Sequence, residues 1–104
     1  MRKLQWRPRA HLDRESIALH LGVERGNPQA ALKVMQSIDE ALELVLSSPE
    51  IGKRFAMGND GSREYRRIRA GSYIIFYVFD SETVTVFRVL HQRQNIDTCT
   101  LVDL

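Results

Sequence analysis

The sequence predicts an α+β fold in which a two-helix antiparallel hairpin packs on a small, mainly antiparallel sheet, in the order β-α-α-β-β-β. Two observations carry this prediction. From residue 63 onward, runs of aromatic and β-branched residues alternate with Gly/Ser and Asp/Ser turns, as consecutive strands do. Before residue 50, apolar residues recur at three- and four-residue steps, the spacing of a helix face. With 104 residues and neither repeat nor linker, the chain predicts one domain over residues 1–104.

The first two elements are a short strand and a helix. Residues 4–7 alternate apolar and polar side chains around Trp6, which predicts the strand. Pro8 opens the helix, because proline loses no hydrogen bond at the first helical position. Asp13 falls outside the apolar stripe of this helix, which is expected to end within residues 22–26. The residues of the stripe are Ala10, Ile17, Ala18 and Leu21.

The second helix has clear start and stop signals. Asn27 is a good N-cap, and Pro28 fits the first helical position. The helix is expected to stop at Ser47-Ser48-Pro49, because proline cannot continue the hydrogen-bond ladder. Residues 50–62 are rich in Gly, Asn and Asp and predict a loop, anchored in the core by Phe55 and Met57. The apolar face comprises Ala31, Val34, Met35, Ile38, Ala41, Leu42, Val45 and Leu46.

Three strands follow the loop. The run from Tyr73 to Phe79 has no polar alternation, so neither face can be left to water, and this predicts a central strand covered on at least one side by helices. In the basic strand before it, Ile68 and Ala70 indicate the inward face, so Arg63, Tyr65, Arg67 and Arg69 are expected to point outward. In the last strand, Arg88 shares a face with Val84, Val86 and Leu90, which requires it to snorkel or to pair with an acid. No conformation is predicted for residues 95–104.

Composition limits the classes of function. The net charge of +2 is weak, and the single cysteine, Cys99, allows neither a disulfide framework nor a Cys-based zinc site. His11, His20 and His91 have no metal-ligand spacing, so no metal or other cofactor is expected. The longest uncharged apolar run is far short of the ~20 residues of a membrane helix, and the amino terminus does not resemble a secretory signal. A cytoplasmic protein without a membrane partner or a small-molecule substrate is expected.

The clustered arginines leave two interpretations open. Guanidinium groups suit the recognition of phosphate or carboxylate. The same side chains also solubilise a sheet and pair with surface acids, which is the commoner role of a charge run. The cluster comprises Arg63, Arg66, Arg67 and Arg69, with His91, Arg93 and Gln94 at the end of the last strand.

Several motifs together resemble the RelE/ParE superfamily of toxins from bacterial toxin–antitoxin pairs. The resemblance covers nearly the whole chain and departs from the usual pattern at Arg14, where a leucine is common. The motifs are Ala10-x-x-Asp13-x-x-x-Ile17, Ser48-Pro49-x-x-Gly52, Arg63-Glu-Tyr65, Gly71-Ser-Tyr-x-Ile75-Phe-Tyr77 and Val89-Leu-His-Gln-Arg-Gln-Asn-Ile96-Asp97.

The resemblance implies one of two activities. RelE-like members cut messenger RNA in the ribosomal A site, whereas ParE-like members poison DNA gyrase without a nuclease constellation. Ile74 stands where the RelE pattern has an arginine, and Cys99 stands near its tyrosine. The ParE-like reading, a toxin that is not itself an enzyme, is therefore favoured. The alternative is a ribosome-dependent endoribonuclease that uses Arg66, Arg69, Arg88, His91 and Arg93 as catalytic residues.

The resemblance also implies partners. The first is a small cognate antitoxin, whose C-terminal segment wraps the toxin and allows a hetero-oligomer to form. Its acids are expected to meet the face formed by Arg63, Tyr65, Arg67 and Arg69. The second partner is DNA gyrase, with candidate contacts at His91, Arg93, Leu101, Val102 and Leu104. The alternative role for this last set is a strand or cap that completes the sheet.

Overall fold

The computed structural model describes residues 2–54 and 64–94. Predictions on Phe55, Met57, Arg63 and residues 95–104, including Leu101, Val102 and Leu104, lie outside the described residues. The described chain forms two helices and five strands: β1 Lys3–Trp6, α1 Pro8–Leu19, α2 Pro28–Ser47, β2 Lys53–Arg54, β3 Glu64–Ala70, β4 Tyr73–Phe79 and β5 Thr83–His91. The predicted α+β class and the two-helix hairpin on a mainly antiparallel sheet are confirmed.

The five strands form one sheet in the order β1-β5-β4-β3-β2. Strand β1 pairs parallel with β5, and the other neighbours pair antiparallel. The central position of β4 agrees with its apolar sequence, and its residues are buried along most of its length. The prediction of a central strand covered on at least one side by helices is confirmed.

The sequence missed one strand. Residues 50–62 were predicted to be a loop, but Pro49–Ile51 forms a 3₁₀ turn and Lys53–Arg54 forms the edge strand β2 against β3. A strand of two charged residues has no apolar alternation, so hydrophobic periodicity cannot reveal it. The observed order is therefore β-α-α-β-β-β-β.

The main core lies between the helices and one face of the sheet. Helix residues Ala10, Ile38 and Leu42 are buried against Ile75 and Val86 of the two central strands. A second group continues this layer, with Val45 of α2 packed on Tyr77 and Val84. This is the face toward which Ile68 and Ala70 were predicted to point, and both contribute to these clusters.

The opposite face of the sheet has an apolar cluster of its own. Phe76, Val78, Phe87 and Leu90 are buried there, and Tyr65 and Ile74 pack against them half-buried. Tyr65 meets Phe87 edge-on, with ring centroids 5.9 Å apart. These residues come only from the strands, so this face is distinct from the one that the helices cover.

A β-bulge changes which way the end of β5 faces. The register shifts between Phe76 and Tyr77, whose partners are Arg88 and Val86, so Phe87 is an extra residue in β5. The expectation that Arg88 shares one face with Val84, Val86 and Leu90 is therefore wrong, because strict alternation fails at a bulge. Leu90 belongs instead to the cluster on the side away from the helices.

The helix boundaries follow their sequence signals. The Asn27 side chain accepts a hydrogen bond from the Ala30 N–H at 3.0 Å, as predicted for an N-cap. Helix α1 passes into a π-helical turn, His20–Glu24, before the chain reverses. Arg14 lies between the two helices: its guanidinium is 3.0 Å from the Asp39 carboxylate and 5.6 Å from the Trp6 ring centroid. A long cation thus occupies the place of an aliphatic residue by packing its stem and pairing its charge.

A buried hydroxyl ties the end of α2 to the sheet. Tyr77 donates to the Pro49 carbonyl at 2.7 Å and accepts from the Gly52 N–H at 3.0 Å. A Cβ at position 52 would clash with the Tyr77 ring and would lie 2.8 Å from the Arg67 carbonyl oxygen, so only glycine fits there. This contact fixes the short strand β2 beside β3 and so positions Lys53 next to the arginines.

Candidate functional site

The most constrained polar group is a carboxylate at the edge of β5. Asp13 of α1 accepts from Arg88 Nε at 2.8 Å and from the second guanidinium nitrogen at 3.0 Å. The same carboxylate accepts from the Val89 backbone N–H at 3.0 Å. Strand β1 has already ended, its last contact being the hydrogen bond from the Arg7 N–H to the Val86 carbonyl. Asp13 therefore caps the part of β5 that β1 does not reach.

This pair decides the role of Arg88. Its side chain is 9% exposed and that of Asp13 is 14% exposed, so both charges are largely removed from water. The sequence left two possibilities for Arg88, to snorkel or to pair with an acid, and the structure shows the pair. Asp13 lies outside the apolar stripe of α1, and it is nevertheless largely buried because the helix face that carries it meets the edge of β5. Because this guanidinium donates two hydrogen bonds to one carboxylate, few of its donors remain for a substrate phosphate.

Arg66 is likewise engaged with its own chain. It donates to the Glu50 and Gly52 carbonyls at 2.8 and 2.7 Å. Its guanidinium also lies 5.9 Å from the centroid of the Phe79 ring. Arg66 thus holds the 3₁₀ turn and β2 against β3, on the side of the sheet that carries Ile68 and Phe79.

Two arginines lie on the outward face of β3. Arg67 is half-buried and Arg69 is exposed, while Tyr65 of the same face is packed against Phe87 rather than projecting into solvent. Arg69 donates from Nε to the Gly71 carbonyl at 3.1 Å and from a terminal nitrogen to the Gln92 side-chain oxygen. Both acceptors are neutral, so the positive charge of Arg69 is not cancelled by them. We call Tyr65, Arg67 and Arg69 the arginine face.

The end of β5 brings His91 and Arg93 together in a tight turn. The His91 Nδ1 atom accepts from the Arg93 N–H at 3.1 Å, and the His91 N–H donates to the Gln94 side-chain oxygen at 2.7 Å. The neutral ring therefore carries its proton on Nε2. The ring packs edge-on to Tyr73 with centroids 5.2 Å apart, while the Arg93 residue is exposed. Through Gln92, this turn contacts Arg69 of the arginine face.

The five arginine and histidine residues of the nuclease alternative do not form one site. Arg69 is joined to the turn that carries His91 and Arg93, but Arg66 and Arg88 are bound to separate parts of the fold. Sequence reasoning missed Asp13 as the partner of Arg88. The signal that could have found it is the need of a buried Arg88 for an acid. It also missed Lys53, because its position beside β3 depends on a strand with no pattern of its own.

In the part of the chain that the structure describes, neither a metal cluster nor a shifted pKa points to a catalytic site. No cluster of three or more His, Cys, Asp or Glu side chains suited to a metal occurs among residues 2–54 and 64–94. Burial raises the pKa of the Tyr77 hydroxyl above its ordinary value. In the same ranges, no helix is long and apolar enough to cross a membrane.

The architecture is similar to that of chains from two solved structures of the ParDE and RelE–RelB systems. A chain from the chromosomal ParDE system of P. aeruginosa superposes with a TM-score of 0.66 at 20% identity, covering 88% of this chain and 96% of that chain. A chain from the archaeal RelE–RelB complex of Pyrococcus horikoshii superposes with a TM-score of 0.61 at 12% identity, covering 90% and 98%. At such low identity these likenesses establish the RelE/ParE-like fold alone.

The sequence identifies the branch. The family model described as the ParE toxin of the type II toxin–antitoxin system parDE matches residues 4–96. Toxin ParE1 of Mycobacterium tuberculosis is 32% identical over 75 residues, which are 71% of this chain and 74% of that toxin. The chain belongs to the ParE toxin family, a toxin component of type II toxin–antitoxin systems.

Proposed function

We propose that this toxin poisons DNA gyrase and does so without catalysing a reaction of its own. Membership of the ParE family supports the target, and the engagement of Arg88 by Asp13 is the observation that argues against a nuclease. Cleavage of RNA next to a 2′-hydroxyl needs groups that stabilise phosphate charge and move a proton. Arg66 and Arg88 are bound to their own fold, and Ile74 contributes an apolar side chain where the nuclease pattern has an arginine.

We further propose that a cognate antitoxin neutralises the toxin in the cytoplasm by covering the arginine face. Acidic residues are almost absent from the sheet: within the described strands, Glu64 is the only one. The described carboxylates otherwise lie on the helices and turns. An antitoxin segment with acidic side chains would complement this asymmetry, and a segment that folds as it binds gains affinity from a large wrapped surface.

The target is tested with purified toxin in gyrase supercoiling and cleavage assays, with and without ATP. Accumulation of linear DNA covalently linked to protein is the expected result. Arg93→Ala, which leaves the backbone contact to His91 in place, is expected to reduce this trapping while retaining the fold. Lys33→Ala on the exposed side of α2 serves as the control. Unchanged gyrase activity combined with A-site cleavage of messenger RNA by the toxin would reverse this proposal.

Neutralisation is tested by co-expression with a candidate antitoxin, sought as a short open reading frame next to the toxin gene. Arg67→Glu and Arg69→Glu together are expected to weaken co-purification, because like charges then oppose the acidic segment. Lys33→Glu provides a charge reversal away from that face. Equal capture of the double variant and the wild type would exclude the arginine face as the antitoxin contact.

A further inference from the structure

We propose that Lys53, Arg67 and Arg69 bind the phosphate backbone of duplex DNA; we call these three residues the cationic edge. The inference builds on the proposed gyrase function, because gyrase acts while it holds a DNA segment. It assigns the toxin a direct contact with that DNA in addition to its contact with the enzyme. The geometry of β2 and β3 carries the argument.

Two like charges lie directly opposite each other at this edge. Lys53 of β2 and Arg67 of β3 are register partners in an antiparallel pair, so their side chains leave the sheet on the same face. Like charges in such positions repel each other and destabilise the pair. The contact that orients β2, from Gly52 to the Tyr77 hydroxyl, nevertheless holds Lys53 in this register. The arrangement therefore has a cost to the fold that an anionic ligand would offset.

The fold does not neutralise these charges within its described part. Among residues 2–54 and 64–94, neither the Lys53 nor the Arg67 side chain makes an ion pair, whereas the four ion pairs found there lie on the helices or join α1 to β5. Arg69 adds a third cation two residues along the same face. Its hydrogen bonds to Gly71 and Gln92 fix the guanidinium in place without cancelling its charge.

The spacing of the cations suits a regular polyanion. Residues two apart on a strand are separated by roughly 6.6–6.8 Å along it, so Arg67 and Arg69 present charges at that interval. One strand of B-DNA carries a phosphate about every 3.4 Å of helix axis. Neighbouring phosphates are displaced around the helix as well as along its axis, so their separation in space is about twice that rise and similar to the interval between the two arginines. Lys53 flanks Arg67 about 5 Å away across the strands.

The surface beside the cationic edge offers charge rather than apolar anchors, so its ligand is expected to be an anion. Protein interfaces depend on apolar and aromatic anchors that fill pockets. On this face the large apolar side chains Phe76, Phe87 and Leu90 are already buried, and Tyr65 is packed on Phe87. What remains accessible at the edge is charge, and charge alone is sufficient to bind a phosphate backbone through the release of counterions.

The proposal also explains how one segment can silence the toxin. Arg67 and Arg69 belong both to the cationic edge and to the face proposed for the antitoxin. An acidic antitoxin segment and a DNA backbone would then exclude each other from the same guanidinium groups. Antitoxin binding would remove the toxin from DNA without any change in the conformation of the fold.

The experiment measures binding of the toxin alone to a short fluorescent duplex of random sequence across a salt series. Three phosphate contacts give a slope of log K against log salt of about −2.7. The variant Lys53→Gln/Arg67→Gln is expected to make the slope less steep by about 1.8 and to weaken binding at low salt. Arg67→Lys alone is expected to leave the slope unchanged, since it keeps the charge. The matched control Arg25→Gln/Lys33→Gln removes two exposed cations from the helical hairpin and is expected to bind as the wild type does.

Several results would overturn the proposal. One is an equal loss of slope in the control, which would indicate a diffuse charge effect. Another is binding to poly-glutamate but not to DNA, which would assign the cationic edge to acidic peptides. A third is tighter binding to single-stranded RNA than to duplex DNA. Gyrase assays are run in parallel, so that the two proposals can fail separately. Salt-dependent binding to DNA by a toxin that leaves gyrase active would sustain this proposal and reject the gyrase target.

Discussion

Replacing Asp13 by alanine tests how the fold depends on its buried ion pair. The substitution leaves Arg88 charged and largely removed from water, and it deprives the Val89 N–H of its acceptor. Breaking a buried pair by removing one partner costs about 3–5 kcal/mol. Domains of this size have an unfolding free energy of about 5–15 kcal/mol. Asp13→Ala is therefore expected to remove a large part of the stability and to loosen α1 from β5.

The measurement is urea unfolding followed by far-UV circular dichroism and by Trp6 fluorescence. Trp6 is the only tryptophan and packs under Arg14 beside α1, so its emission reports on the region that the substitution disturbs. The double variant Asp13→Ala/Arg88→Met removes both charges and is expected to recover about 1–3 kcal/mol relative to the sum of the single variants. Asp13→Asn, which keeps an acceptor for Val89 but loses the charge, is expected to fall between the wild type and Asp13→Ala.

Two outcomes would refute the reasoning. A cost below about 1 kcal/mol for Asp13→Ala would mean that the pair is solvated rather than buried. Additive effects of Asp13→Ala and Arg88→Met would mean that the two side chains do not interact in solution. Cleavage of messenger RNA that depends on Arg88 would separately contradict the structural role assigned to this arginine.

The remaining predictions concern the contacts that hold α2 to its neighbours. Tyr77→Phe leaves the buried Pro49 carbonyl and Gly52 N–H without their hydroxyl partner. We expect the free energy of urea unfolding to fall by about 1–3 kcal/mol. A neutral effect would show that water replaces the hydroxyl. Because burial raises the pKa of Tyr77 in the folded state, stability is fully present below the unfolded pKa of about 10 and falls as pH rises above it, more steeply in the wild type than in Tyr77→Phe. Gly52→Ala is expected to yield little folded toxin, and normal expression and melting of that variant would contradict the close approach to Tyr77. Asn27→Ala removes the cap on the Ala30 N–H and is expected to cost about 1 kcal/mol by thermal melting, whereas Asn27→Asp is expected to be nearly neutral.

Local signals predicted the elements that local physics determines. Asn27 and Pro28 define the start of α2 because a cap and a first helical residue act within one turn of the chain. The unbroken apolar run of β4 predicts a central strand because burial on both faces leaves no polar alternation. The position of Arg88 among apolar strand residues predicted that it would either snorkel or pair with an acid, because an isolated buried charge is costly.

Features that depend on distant partners could not be predicted in the same way. Asp13 is 75 residues from Arg88 and has a helical neighbourhood that suggests only a solvated position. The extra residue Phe87 has the same apolar character as its neighbours, so the sequence does not mark the bulge that reorients Arg88. The edge strand at Lys53 exists because Tyr77 and Arg66 hold the turn before it, and neither contact has a sequence pattern.

The parallel pairing of β1 with β5 has a consequence for synthesis on the ribosome. Among the described strands, β1 is the first in the chain and β5 the last, and β1 has no other neighbour in the sheet. Leu4 lies opposite Val84, and Trp6 lies opposite Val86. A nascent chain can form its helices early, but it cannot close the sheet until β5 has left the ribosome. Prematurely terminated chains would therefore lack both the neighbour of β1 and the donors that bind the Asp13 carboxylate. A chain that stops before β5 is therefore expected to remain unfolded and open to proteolysis.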